Sequence, residues 1–304
     1  MAAPSAAPPF MGASPSKTPE GFAAAIFGAP HGTPYPEIDN RIHQGAPDAF
    51  RTALAEDSLW LDHWDFDLGA TLLGHGLSIC DLGNLKTKAK DGKGNRKLIE
   101  ETTRNILDAG AVPIMFGGDD SVPIPFIAAY SNQPAIVILQ IDAHIDWRDE
   151  RHGERMGFSS TMRRASEHDH VWRIVQVGAR GIGSAREAEV KDALSWGARL
   201  ITSRDVHHHG VAQVLEHIPE DCDCLISFDC DAMDVAQMPA VSYPTPGGLN
   251  YTQIIDLIAG VAAKARIAGF CMVEFMPKRD VAGTAAFTAA RIAANVIGRF
   301  ERRE

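Results

Sequence analysis

No apolar run in this 304-residue sequence approaches the length of a membrane span, which excludes a helix that crosses a bilayer. Basic charge is in short supply as well: 29 Lys and Arg stand against 39 Asp and Glu, and the net charge is −10. Without a Lys/Arg cluster, nucleic acid and anionic membrane surfaces are excluded as partners, whereas a small cation fits. The cysteines (Cys80, Cys222, Cys224, Cys230, Cys271) are few and odd in number, and all but Cys222 fall in or beside predicted strands. That pattern excludes a disulfide framework and points to buried thiols in a reducing cytoplasm. Cys222 and Cys224 have the spacing of a soft-metal pair, but no second pair completes a tetrahedral site. Residues 1–22, rich in Pro, Ala and Ser, lack the basic start and apolar stretch of an export signal, so a flexible arm is expected.

Apolar content is not lacking. At 45% it provides a large core, and the length suits one α/β domain over residues 23–304. Eight short β-prone runs, at 24–27, 77–80, 112–116, 135–141, 173–177, 200–201, 224–228 and 269–273, end at Gly- or Asp-rich punctuation. Helical periodicity lies between them: over 95–108, with Leu98, Ile99, Thr102, Ile106 and Leu107 on one face; from a cap at Ser184 to near Trp196; and over 211–218, 251–265 and 284–300. In the last of these, Phe287, Val296, Ile297 and Phe300 are expected to face inward. Strands alternating with helices predict a three-layer α/β/α fold around a mostly parallel eight-stranded sheet, with ligands beyond the carboxyl ends of the strands.

The chemistry gathers at those ends. Asp120 stands in GGDDS, Asp142, His144 and Asp146 in DAHID, and Asp229 and Asp231 in SFDCD, each after an apolar run. The ligand types recur at every second residue, so a strand continuing past Ile141 presents Asp142, His144 and Asp146 on one side, and Cys230 turns away. A single such motif is explained by an Asp bonded to its own turn backbone; three together are not. Packed carboxylates repel and partly protonate unless cations compensate, and a pair of divalent ions is the expected remedy.

GGDDS, DAHID, SFDCDAMD, PTPGGL and VEFMPKRD resemble, in order and spacing, the motifs of the ureohydrolase family of arginases, agmatinases and other guanidino-group hydrolases. The resemblance runs from about Ile26 to Phe300 and implies a doubly wound α/β fold with two Mn²⁺ ions sharing a hydroxide. It further implies that Asp142 and Asp229 bridge both ions, that His144 and Asp231 complete one, and that Asp146 and residue 120 complete the other. Asp234 would support the ligands from behind, Glu274 would accept the substrate guanidinium, and Asp146 would hold the hydroxide and pass its proton to the leaving amine. Trimers and hexamers occur among such relatives, so a homo-oligomer, or a hetero-oligomer with a related subunit, is implied.

The sequence also departs from that pattern. Asp120 occupies a position where histidine is usual. It either binds a hard ion through oxygen, the reading preferred because the other five ligand positions are intact, or is a relic beside a half-empty site. Phe158 stands where a proton-transferring histidine is common, residues 240–243 (Ala-Val-Ser-Tyr) replace Gly-Thr-Gly-Thr, and Met276 replaces asparagine. Phe158, Val241, Tyr243 and Met276, with Glu274, are therefore the expected substrate contacts. Their loss of polarity favours a compact or N-alkylated guanidine or biguanide over a long diamine-like tail. The expected activity is agmatinase-like hydrolysis of guanidino C–N bonds in linear amidines, releasing urea or a urea derivative plus an amine; the alternative is a catalytically silent subunit of a hetero-oligomeric ureohydrolase. Oxygen-rich ligation suits Mn²⁺, and Ni²⁺ is a second candidate. His152 is a candidate replacement for the missing proton carrier, His31 either borders the mouth of the site or serves a turn, and His207–His209 are expected to be a solvated helix start.

Overall fold

The computed structural model describes residues 7–183 and 185–300. Its strands are Ser14–Pro15 (β1), Ala24–Ala29 (β2), Trp64–Asp65 (β3), Ala70–Thr71 (β4), Ile79–Asn84 (β5), Val112–Gly117 (β6), Ile136–Ile141 (β7), Val171–Ala179 (β8), Arg199–Thr202 (β9), Asp223–Asp229 (β10) and Arg266–Val273 (β11). Nine of them form one sheet in the order β1-β5-β2-β6-β11-β10-β7-β8-β9, while β3 and β4 pair alone. Every pairing in the large sheet is parallel. The helices are Ala46–Ala53 (α1), Gly92–Asp108 (α2), Pro123–Ala128 (α3), Thr161–Ala165 (α4), Glu187–Trp196 (α5), Ser203–His209 (α6), Ala212–Leu215 (α7), Tyr251–Lys264 (α8) and Thr284–Ile297 (α9).

A parallel sheet needs crossovers, and helices covering both faces make the strand interiors apolar on both sides. β11 shows the alternation: Ile267, Phe270 and Met272 pack into the core shared with α1, α8 and α9, while Ala268, Cys271 and Val273 pack into the one shared with α2 and α3. The architecture is the expected three-layer α/β/α, with all eight expected strands present and one more.

The ninth strand corrects the picture of residues 1–22 as a loose arm. Phe10 is fully buried, edge-on to Phe116 at 5.0 Å, and its backbone N–H donates to Asp81 at 3.1 Å. Ser14 and Pro15 then pair with Cys80 and Asp81. Edge position is where a proline is tolerated in a sheet, because no partner needs its missing N–H. Residues 1–6 lie outside the described part.

Two further expectations change. Ser184 lies outside the described residues, and α5 begins behind Arg186, which serves as its cap with Glu189. Phe287 is 45% exposed on α9, whereas Val296, Ile297 and Phe300 are buried as expected. The five cysteines are free, with Cys224 buried and Cys222 partly so.

Candidate functional site

Four adjacent strands, β6, β11, β10 and β7, end side by side at the middle of the sheet. The chain places β10 and β11 between β6 and β7, so the connections on the two sides diverge and leave a crevice at the carboxyl ends. Into it β6 delivers Asp119 and Asp120, β11 delivers Glu274, β10 delivers Asp229 and Asp231, and β7 delivers Asp142, His144 and Asp146.

Local backbone explains how each side chain arrives. At Gly118 a Cβ would stand 2.5 Å from the Pro30 carbonyl oxygen, so only glycine lets the β6 turn lie against the end of β2. Asp120 follows, with its N–H donating to Glu274 Oε1 at 2.9 Å. Residues 142–146 do not continue β7 as a strand, which corrects the alternation argument. Asp142 is held by its N–H donating to the Val177 carbonyl at 2.9 Å, the chain bends, and Asp146 adopts a left-handed φ of 44°. Glu274 has a φ of 63° just after β11. Neither residue type favours this region, and strain of about 1–3 kcal/mol per such residue persists only where surroundings overdetermine it, characteristically at functional sites. Asp229 accepts the Asp231 N–H at 2.7 Å, starting a short 3₁₀ turn that puts Cys230 into the apolar core, away from the acids as expected.

One donor atom each from Asp142, His144 and Asp231 lie within 4.8 Å of one another, and so do those of Asp120, Asp142 and Asp229. Asp142 is common to both triads. His144 Nδ1 is 3.2 Å from Asp231 Oδ2 and 3.4 Å from Asp142 Oδ1. Asp146 belongs to neither triad but is tied to Asp142 through Gln140, whose Nε2 donates to Oδ2 of each at 2.7 Å. Asp120 Oδ2 is buried without a hydrogen-bond partner, an orphaned acceptor inside a ring of acids. Such an atom, with five other oxygen and nitrogen donors around it, fits two divalent cations.

The electrostatics agree. Burial, reinforced by neighbouring carboxylates, drives the pKa values of Asp120, Asp146 and Asp229 well above the ordinary range and raises that of Asp142. Burial also raises Glu274 to about 7 and Asp119 to about 6, each with help from nearby acids. Burial disfavours a charged His144, yet hydrogen bonds that the ring donates to Asp142 and Asp231 overcome it and push the ring up to about 12. The cluster has more acid than its own bases can neutralise, the condition that positive ions relieve.

A cavity of ≈ 610 Å³ opens over these groups. Phe158, Tyr243, Glu274 and Met276, four of the five residues named from the sequence as substrate contacts, line it. Phe158 packs edge-on against Tyr35 at 4.8 Å. Val241 is a correction: it is 1% exposed within the apolar core, and its carbonyl accepts from Arg279 at 2.6 Å. Asp234 is another, since its carboxylate accepts from the backbones of Ala236, Gly247 and Gly248 and so braces a loop rather than a ligand.

Other histidines sort clearly. His152 is 64% exposed at its side chain and faces Glu37, a lining residue of the cavity, at 3.4 Å without lining the cavity itself. His31 bonds Thr87 and Gln44 and serves the loop. His207–His209 end helix α6 rather than starting a helix, and His207 reaches the Gly248 carbonyl at 3.0 Å.

Sequence reasoning missed four residues. His43, 3% exposed, meets the Phe275 carbonyl through Nδ1 at 3.1 Å and Glu274 Oε2 through Nε2 at 3.3 Å, so it fixes one oxygen of that carboxylate. Arg180 donates to the carbonyls of Gly178, Asp231, Ala232, Met233 and Thr245, tying the β10 ligand turn to the cavity rim. Gln140 and Gln176 were readable as polar residues in otherwise apolar strands, a signal that gives no partner by itself.

Residues 22–298 match the profile described as Arginase: Arginase family. The chain belongs to the arginase family. Among arginase-family relatives, the human mitochondrial guanidino acid hydrolase is 28% identical over 281 residues, covering 90% of this chain and 77% of that protein. The N(1)-aminopropylagmatine ureohydrolase of Thermus thermophilus is 30% identical over 207 residues, covering 67% of this chain and 68% of its own length. The agmatine ureohydrolase structure from Thermoplasma volcanium superposes with a TM-score of 0.77 at 28% identity, over 93% of this chain and 91% of that one. Proclavaminate amidino hydrolase from Streptomyces clavuligerus shares the fold at a TM-score of 0.85 and 24% identity, with 99% of each chain covered. The enzyme class expected from the sequence, hydrolysis of carbon–nitrogen bonds in linear amidines, is that of these arginase-family relatives. No helix among the described residues is long and apolar enough to cross a membrane.

Proposed function

We propose that this arginase-family protein is a binuclear-metal hydrolase of a compact or N-alkylated guanidine or biguanide, releasing urea or a urea derivative and an amine. The observation that carries the reading is one cavity lined by Asp120, His144, Asp146, Asp229, Asp231 and Glu274, with Asp142, the member shared by both acid triads, buried beside them. Asp120, Asp142, His144, Asp146, Asp229 and Asp231 would hold two divalent ions, Mn²⁺ first and Ni²⁺ second. Bound there, the ions would lower the pKa of a shared water so that hydroxide exists at neutral pH.

Glu274 binds and orients the flat cation through charge-assisted N–H···O bonds, with Asp120 N–H and His43 holding its two oxygens in place. Asp146 borders the cavity, takes up the proton released by the attacking water and gives it to the nitrogen that departs as an amine. Phe158 and Met276 offer apolar wall, which rewards methyl groups and leaves a polar tail unpaired.

Oligomerisation belongs to the same reading, as a homo-oligomer such as a trimer or hexamer, or as a hetero-oligomer with a related subunit. Leu59, Trp60, Trp64 and Phe66, each at least 55% exposed on one excursion of the chain, support it.

The decisive experiment is a screen of small guanidines and biguanides, with agmatine and arginine included, after loading with Mn²⁺ or Ni²⁺ separately and scoring urea and amine release. Turnover of an alkylated guanidine ahead of agmatine and arginine supports the reading, and the reverse order ends it. Uptake of no metal and turnover of none of the compounds would instead favour a silent subunit.

A further inference from the structure

We propose that Gln140 and Gln176 form a one-way amide relay that positions Asp142 and Asp146 for the second divalent ion; this rests on the reading of those two acids as ligands. The glutamines are each 1% exposed and face one another in register across β7 and β8. Burying an amide in strands otherwise as apolar as IVILQI is costly unless its bonds are made.

The partners dictate the direction of every bond. Ionised carboxylates accept only, so Gln140 turns its NH₂ toward Asp142 and Asp146, giving one hydrogen to Oδ2 of each at 2.7 Å. Its Oε1 then faces Gln176 and must receive a hydrogen from Gln176 Nε2. The Ile145 carbonyl, 2.8 Å from the same Nε2, also only accepts and takes the other hydrogen. Both glutamine orientations are thereby set without reference to any ligand, and Gln176 Oε1 is left unpaired as the cost of that arrangement.

The relay acts at the strained bend after β7, where the backbone carbonyl of Asp146 is held by the N–H groups of Met162 and Arg163 but its carboxylate is not. Asp146 sits at a φ of 44° in a bend with no strand neighbour, beside an acid that repels it. A single NH₂ placed between the two carboxylates offsets that repulsion. It leaves Asp146 Oδ1 turned from the amide, and the Ile145 contact anchors the bend itself to β8. Gln140 and Gln176 are thus positioning residues, acting on the cations through Asp142 and Asp146 as outer hydrogen-bond partners do at other metal sites.

Calorimetric titration of the full chain with Mn²⁺ alone, after chelator treatment, tests this. Wild type is expected to take two equivalents, and Gln140→Leu to weaken one of them by about 10–100-fold while sparing the other. In an Asp146→Ala background the same substitution should change that affinity less than about threefold, because only Asp142 is left to position and its backbone bond to Val177 already holds it. Gln176→Leu, which leaves the inner amide in place, should weaken the same ion less and carries the test if Gln140→Leu fails to fold. Wild-type affinity in Gln140→Leu, or an equal loss with and without Asp146, overturns the relay. A wild type that binds two Mn²⁺ yet hydrolyses no guanidine overturns the functional reading alone, and one that binds no metal overturns both.

Discussion

At position 120 a carboxylate with a buried, unpaired oxygen is a liability to folding and an asset to a cation. Leaving a buried polar atom unsatisfied costs about 1–3 kcal/mol. Asp120→Ala is therefore expected to raise the unfolding midpoint in EDTA and to lower it in excess Mn²⁺, relative to wild type under each condition. A lower midpoint in EDTA would show that Asp120 has a structural partner. Glu274 makes the same trade in its backbone, at a φ of 63°. Glu274→Gly should gain about 1 kcal/mol in urea denaturation and lose turnover, whereas a less stable variant would mean that the side-chain bonds outweigh the strain. His43 holds Glu274 Oε2 at 3.3 Å. One polar contact of this kind is worth about 0.5–1.5 kcal/mol, so His43→Phe should raise KM by about 2–10-fold with kcat little changed. A fall in kcat alone would sink that role. The acids were legible in the sequence because each ends an apolar run. His43 was not, because it meets Glu274 at a sequence separation of 231 and no local pattern encodes that meeting.

Strands buried on both faces read as plain apolar runs, which is why β2, β5 through β11 were all visible in the sequence. By contrast, β1, β3 and β4 are two residues each and carry no periodicity. The bend after β7 was misread because strand alternation and a turn can place the same three side chains on one side, and only the φ of Asp146 separates them. Arg180 shows how an element is fixed by a residue remote from it, as its guanidinium collects five carbonyls from the β8 end, the β10 turn and the cavity rim. Arg180→Met keeps the packing stem and strands those carbonyls. A loss of roughly 2–3 kcal/mol in chemical denaturation is expected, together with weaker Mn²⁺ binding through Asp231. Unchanged metal affinity would mean that the β10 turn holds itself.

For the molecule as a whole, the acid array is the charge balance written small. The net charge is −10, and seven buried acids crowd one crevice with few bases among them. Two divalent cations bound there would restore balance at the place where four strands meet, and so would tie β6, β7 and β10 together at the centre of the sheet. Binding that requires the folded chain stabilises it by mass action, by about 2.7 kcal/mol per site at a hundredfold excess over Kd. For a domain of this size that corresponds to a rise of about 5–10 °C in Tm per occupied site. Adding Mn²⁺ or Ni²⁺ to chelator-treated protein should therefore raise Tm in two concentration ranges, one for each ion, and EDTA should reverse both. The second rise should vanish in Asp120→Ala while the first, carried by Asp142, His144 and Asp231, persists. A single transition indifferent to metal would mean that the acids keep their protons instead of binding ions, and the hydrolytic reading would fall with that result.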